Sequence, residues 1–275
     1  MDRFSPIGVF DSGLGGLTVV RAIQKLLPQE SLIFVADQAH VPYGDRPLEQ
    51  VSGYAQAISN ALFNAGCKAV VMACNISSAV AHTTVTNTFA PKPVIGMIQP
   101  GSHHAMECSR YKRIGIMATL GTVKSDAYPQ FLKDLCPSVQ VQQVACPAFV
   151  PLVEAGQTDG EAALDAAREY LKPLLLADVD TIVLGCTHYP FLLPILQSLT
   201  PNIEYVDPAI VATEQLKQEL EAIDLLSVNT EHPHHYFATT GSVLELERSL
   251  KKMISTDTLT LEVAQANWNE GVLTL

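Results

Sequence analysis

Short runs of apolar, mostly β-branched residues recur along the chain, each followed by polar or glycine-rich punctuation. Ile7–Phe10, Leu32–Ala36, Ala69–Ala73, Val94–Met97, Ile114–Met117, Val139–Val144 and Thr181–Leu184 are mostly apolar on both faces instead of alternating. That pattern predicts strands of a parallel sheet covered by helices on both sides. Between them, Gly15–Leu27 carries apolar residues at helical spacing and stops at Pro28, and Leu48–Phe63 and Glu161–Leu176 have the same spacing. Strand–helix alternation of this kind predicts α/β doubly wound units, whose ligands bind beyond the carboxyl ends of the strands.

The pattern also repeats. Ile7-Gly8-Val9-Phe10 precedes the polar loop Asp11-Ser12-Gly13, and Ile114-Gly115-Ile116-Met117 precedes Ala118-Thr119-Leu120-Gly121-Thr122. A cysteine follows in each half just past a later apolar run: Cys74 after Val70–Ala73, and Cys186 after Ile182–Gly185. Two pseudo-symmetric doubly wound α/β domains that face each other would put both cysteines in the cleft between them. The tail is less regular. Ala209–Ile223 reads as a helix and His235–Ala238 as a strand before the turn Thr239-Thr240-Gly241, and we expect the tail to pack back on the first half. The expected domains are therefore residues 1–98 with 209–275, and 99–208.

Length and composition narrow the function classes. A chain of 275 residues with 48% hydrophobic and 16% charged residues can bury two modest cores. A net charge of −11 argues against nucleic acid and anionic membranes as partners. The N-terminal residues Met1–Pro6 do not read as a signal peptide. The most apolar stretch, Ala69–Ala81, is interrupted by Asn75 and two serines and falls short of the ~18 residues of a membrane span. A cytoplasmic location is expected. The six cysteines match no zinc template, so free thiols are expected. His103-His104 and the histidines between His232 and His235 read as surface residues, Cys67, Cys108, Cys136 and Cys146 as structural. Trp268 suggests no chemistry.

Three segments suggest chemistry. The loop Asp11-Ser12-Gly13-Leu14-Gly15-Gly16 lies between a strand and a helix, where glycines admit a ligand to backbone N–H groups, or where Asp11 simply caps the helix. It lacks both the dinucleotide spacing and the P-loop lysine. Tyr43-Gly44-Asp45-Arg46 is a second candidate anion loop. Cys74-Asn75 and Cys186-Thr187-His188 each place a thiol at a strand end near backbone amides that favour a thiolate. Asp11 and His188 are candidate helpers.

Taken in order, Phe10–Thr18, Pro42-Tyr43-Gly44, Ala73-Cys74-Asn75, Ala118–Thr122, Pro151-Leu152-Val153-Glu154 and Leu184–Pro190 resemble the glutamate racemase family of the aspartate/glutamate racemase superfamily. The resemblance runs from about residue 7 to about residue 241. It implies two α/β domains with an active site between them, often in dimers, and no cofactor or metal. Cys74 and Cys186 would be the catalytic acid/bases, tuned by Asp11 and His188 with Glu154 in support. Ser12, Tyr43, Gly44, Asn75, Thr119, Thr122 and Thr187 would hold the carboxylates and amine of glutamate, with Asp11, His188 and residue 76 beside them. The family usually carries threonine after A-C-N, where this chain has Ile76. Family members activated by a cell-wall precursor carry an N-terminal extension that we do not see here, so such regulation is not expected. D-Glutamate, the family's product, is a building block of bacterial peptidoglycan.

The chemistry fits two thiols. Inverting an α-carbon takes a proton from one face and delivers one to the other, so one sulfur must be thiolate while the other is thiol. Sulfurs ~3–3.5 Å from the α-carbon on opposite faces would be about 6–8 Å apart, too far for a disulfide. Three alternatives stay open at this point: a racemase for another amino acid such as aspartate, a cysteine hydrolase using Cys186, His188 and Glu154, and a non-catalytic amino-acid-binding protein of the same fold.

Overall fold

The computed structural model describes residues 2–228, 233–254 and 260–275. The first part of the chain runs β1 (Ile7–Asp11), α1 (Leu17–Leu26), β2 (Leu32–Ala36), α2 (Leu48–Asn64), β3 (Ala69–Met72), α3 (Asn75–Phe89), β4 (Val94–Ile95) and α4 (Ile98–Cys108). The middle runs β5 (Arg113–Ala118), α5 (Leu120–Ser125), α6 (Ala127–Leu135), β6 (Gln140–Ala145), α7 (Phe149–Glu154), α8 (Glu161–Leu176), β7 (Thr181–Gly185), α9 (Leu193–Leu199) and β8 (Glu204–Val206). The last part runs α10 (Pro208–Ala222), β9 (His234–Thr239), α11 (Val243–Met253), β10 (Thr260–Gln265), β11 (Asn267–Asn269) and β12 (Val272–Thr274).

Two parallel sheets organise these elements. The first has the order β10-β9-β2-β1-β3-β4 and the second β6-β5-β7-β8. The block β2-β1-β3-β4 has the same order as β6-β5-β7-β8, with parallel pairing throughout. The repeat read from the sequence is therefore a repeat of topology. In each block the chain leaves a central strand, pairs on one side, then returns to pair on the other. That reversal opens a crevice at the carboxyl ends of β1 and β3, and another at those of β5 and β7.

Both sheets carry apolar layers on both faces, which is why their strands read as continuous hydrophobic runs. One face of the first sheet packs on Leu17, Val20 and Ile23 of α1 with Leu216 and Leu220 of α10 and Leu246 of α11. The other packs on Ile58 and Leu62 of α2, Val85 of α3 and Leu273 of β12. The second sheet is covered by Ala167, Leu171 and Leu174 of α8 on one face, and by Ala105 of α4 with Tyr128 and Leu132 of α6 on the other. Helix α10 starts with Pro208, and its cap residue Asp207 accepts from the Ala209 N–H, a standard helix start.

Two sequence expectations need correcting. The run Val139–Val144 is not a doubly buried strand. β6 lies at a sheet edge and is only partly covered, which is where Gln140, Gln142 and Gln143 belong. The run Val94–Met97 gives only the two-residue strand Val94–Ile95, because Met97 is already the cap of α4. No helix among the described residues is long and apolar enough to cross a membrane.

Candidate active site

The carboxyl edges of the two sheets face one cavity of about 380 Å³. Asp11 ends β1, Cys74 caps α3 just beyond β3, Thr119 caps α5 beyond β5, and Cys186 directly follows β7. The site residues that the resemblance names all line this cavity, namely Asp11, Ser12, Tyr43, Gly44, Cys74, Asn75, Ile76, Thr119, Thr122, Glu154, Cys186, Thr187 and His188, whereas Arg46 of the second candidate anion loop does not. The two halves approach closely there. A Cβ on Gly15 would lie 2.5 Å from Thr187 Oγ1 and 2.6 Å from the His188 ring, so only glycine admits the Cys186–His188 segment. The glycine loop thus accommodates the other half of the protein as well as offering N–H groups.

The two sulfurs sit in different surroundings. Cys74 is buried, and its Sγ lies 3.7 Å from Ser12 Oγ. Burial pushes its thiol up to about 12, with the Asp11 carboxylate adding to the effect, against hydrogen bonds from Ser77 and Ser12. The N-terminal end of α3 favours negative charge at Cys74, but burial outweighs it. Cys74 is therefore held as a thiol.

Cys186 faces a cation. His188 Nδ1 lies 3.8 Å from Cys186 Sγ, and His188 Nε2 lies 3.5 Å from Glu154 Oε1. Burial alone would pull the His188 pKa down, but hydrogen bonding to Cys186 and Glu154 and the charge of Asp11 hold it up to about 10. His188 in turn holds the half-exposed Glu154 below the usual carboxylate range. A charged imidazole beside a thiol is a setting in which cysteines act as bases and nucleophiles.

Asp11 links the halves. Its Oδ2 accepts from the Gly13 and Gly16 N–H groups at 3.2 and 2.9 Å, and from Thr187 Oγ1 of the other half at 3.4 Å. Burial raises its pKa, opposed by His188 and by the loop N–H groups. Its Oδ1 is buried and has no protein partner. Asp11 thus braces its own loop, although no side chain caps α1 itself.

Polar groups for holding a ligand converge on the same space. Asn75 Oδ1 accepts from Tyr128 Oη at 2.7 Å, which leaves the amide N–H groups of Asn75 as donors. Thr119 Oγ1 and Thr122 Oγ1 are 3.1 Å apart. Among the described residues lining the cavity there is no lysine or arginine. Hydroxyls, the Asn75 amide, backbone N–H groups and His188 are the groups left to meet an anion. The buried Lys68 is paired with Glu30 at 2.5 Å outside the cavity lining. Ile76 is 3% exposed and packs with Tyr43, Val51 and Cys74.

Some features escaped the sequence reading. Cys146 lines the cavity too, a buried thiol pushed above its ordinary range by burial. Its place just after β6 was the available signal. Tyr128 is fully buried and orients Asn75 from another half of the chain, a relation no local pattern reveals. His235 is no surface residue. It is 1% exposed in β9, and burial pulls its pKa down to about 4. His232 lies outside the described residues. All six cysteines are free.

Residues 7–216 match the family described as Asp/Glu/Hydantoin racemase. The chain is 43% identical over 240 residues to the glutamate racemase of Microcystis aeruginosa, covering 87% of this chain and 84% of that protein. A glutamate racemase isoform from Bacillus anthracis superposes with a TM-score of 0.90 at 32% identity, covering 98% of this chain and 99% of that one. The glutamate racemase from Francisella tularensis, solved in complex with D-glutamate, gives a TM-score of 0.88 at 30% identity, covering 95% and 98%. The chain belongs to the Asp/Glu/Hydantoin racemase family, on the glutamate racemase branch that these relatives occupy.

Proposed function

We propose that the protein interconverts L- and D-glutamate by proton transfer between Cys74 and Cys186, without a cofactor. The observation that carries this reading is the pair of thiols at equivalent strand ends of two repeated α/β units, both lining one cavity. One thiolate removes the α-proton from one face, and the opposite thiol delivers a proton to the other. Burial holds Cys74 as a thiol, and His188 places a positive charge beside Cys186. The carbanion is stabilised by hydrogen bonds to the α-carboxylate in a site withdrawn from water. Asn75, Thr119, Thr122 and Ser12 hold the carboxylates, and the free Oδ1 of Asp11 meets the ammonium group. Thr187, Tyr43 and Gly44 complete the enclosure, and Glu154 keeps His188 charged.

We assign residues 1–98 with 209–275 to one domain and 99–208 to the other. The pairing of β9 with β2 and the packing of α10 on α1 support that division. We further place the enzyme in the cytoplasm as a homodimer, where D-glutamate enters peptidoglycan synthesis. Incubation with L- or D-glutamate in deuterated water, with no added cofactor, tests the reaction. Racemisation with deuterium at the α-carbon is expected, and aspartate run in parallel identifies the substrate. Binding without exchange would favour a non-catalytic binding protein, and activity on aspartate alone would favour the other racemase.

A further inference from the structure

Asp37 lies at the carboxyl end of β2, and its side chain is wholly buried. Each of its oxygens accepts two hydrogen bonds. Oδ1 takes them from Trp268 Nε1 at 2.7 Å and from Thr240 Oγ1 at 2.8 Å. Oδ2 takes them from Tyr43 Oη at 2.6 Å and from His40 Nδ1 at 2.8 Å. Its backbone N–H donates to Asp11 O at 3.0 Å. The donors come from three separate stretches: the loop at 40–43, the turn after β9, and the hairpin β11–β12 at the end of the described chain.

Two consequences follow from hydrogen-bond inventory. A Tyr43 hydroxyl that donates to Asp37 is turned toward the buried carboxylate, so Tyr43 serves the cavity by where it holds the backbone to Gly44. The second concerns Trp268. An indole N–H can only donate, and here its partner is an ionisable oxygen, the stronger class of hydrogen bond. Ring contacts reinforce it. Trp268 meets His40 edge-on at 5.1 Å and Tyr54 at 5.8 Å, while His40 stacks on Tyr54 at 4.0 Å. The hairpin itself has only two three-residue strands, too little to be a stable unit alone.

We propose that Trp268 is a positioning residue of the reaction: through Asp37 it fixes Tyr43 and Gly44 against the cavity, making the C-terminal hairpin part of the active-site framework. This rests on the glutamate-racemase reading above. It assigns no chemistry to Trp268, which does not line the cavity.

The test uses the full-length protein and the variants Trp268→Phe, Tyr43→Phe and their combination. Losing one hydrogen bond to Asp37 should raise KM for both enantiomers by about tenfold while kcat stays within about threefold, since the sulfurs are untouched. The double variant should be no worse than the more affected single one, because both act through the same carboxylate. A purely structural hairpin predicts instead a lower melting temperature with kcat and KM unchanged, and that result overturns the proposal, as does full additivity. Trp268 is the chain's one tryptophan, so intrinsic emission gives a second readout if Trp268→Phe does not fold. Tyr43→Phe should shift that emission without any ligand, and an unshifted spectrum sinks the relay. Because the spectrum needs no turnover, it separates failure of this proposal from failure of the racemase reading.

Discussion

Ile76 occupies the space that Gly121 leaves empty: a Cβ at position 121 would overlap the Cδ1 of Ile76 and lie 2.9 Å from Gly44 O. Ile76 lies in the first turn of α3 in one repeat, and Gly121 lies in α5 of the other. The contact therefore sets how closely the two cysteine-bearing edges approach. We expect Gly121→Ala to lower kcat/KM for glutamate about 10- to 100-fold, by misplacing the reacting groups by a fraction of an ångström or more. Adding Ile76→Val, which removes the clashing methyl, should recover part of the loss. Steady-state kinetics on the two variants and wild type decide it, and a double variant no better than Gly121→Ala refutes the packing argument.

Ile76→Thr has a predictable cost. The side chain is buried among Tyr43, Val51 and Cys74, so threonine removes methyl packing and buries a hydroxyl there. Destabilisation of about 1–3 kcal/mol is expected, seen as a melting temperature lower by several degrees. We expect kcat/KM for glutamate not to rise. An increase at normal stability would mean that a hydroxyl at this position does bind the substrate.

The cysteines should fail separately. Cys74→Ser and Cys186→Ser should each lower racemisation by at least about 10²–10⁴-fold, the range for loss of a positioned acid or base. Neither should change the melting temperature by much, since serine is close in size. Activity within tenfold of wild type in either variant would contradict the two-base reading.

His188 makes stability and activity depend on alkaline pH. Its folded pKa, about 10, lies above its ordinary value of 6.5. The folded state therefore binds the proton more tightly than the unfolded chain, a stabilisation fully present below about 6.5 and lost as pH rises toward 10. Cys74, held protonated up to about 12, adds a loss of the same sign once unfolded cysteine ionises, above its ordinary 9.0. Melting temperatures should fall between pH 7 and 10, less steeply in His188→Asn. The basic limb of kcat/KM should lie near pH 10 in wild type. Identical melting profiles for the two proteins would remove His188 from this account.

The strands were legible because parallel strands buried on both faces leave continuous β-branched runs. The cavity was legible because its residues sit at the ends of those runs. Helix α3 carried no clear stripe: Asn75–Phe89 is rich in Ser and Thr, and it is held by packing between β3 and α2. Strand β10 pairs with β9 across the intervening α11, and the short hairpin β11–β12 is held by contacts with α2 and Asp37 far back in the chain, so local pattern was silent about them. The same holds for Tyr128 beside Asn75 and Asp37 beside Trp268, whose roles exist only as long-range hydrogen bonds. Ile76 was singled out from sequence, but only the structure reveals that it lines the cavity while packing on Tyr43, Val51 and Cys74.

The strand order shared by the two sheets brings one thiol from each repeat to a common cavity, but the repeats are dressed unequally: His188 and Glu154 attend Cys186, and Ser12 attends Cys74. Mirror-image amino acids free in water have identical free energies, so the equilibrium constant between them is unity. The Haldane relation then forces kcat/KM to be the same in both directions. The unequal dressing can make one enantiomer bind more tightly and turn over more slowly than the other. It cannot make the enzyme prefer a direction, and any net flow toward one hand must come from whatever consumes the product.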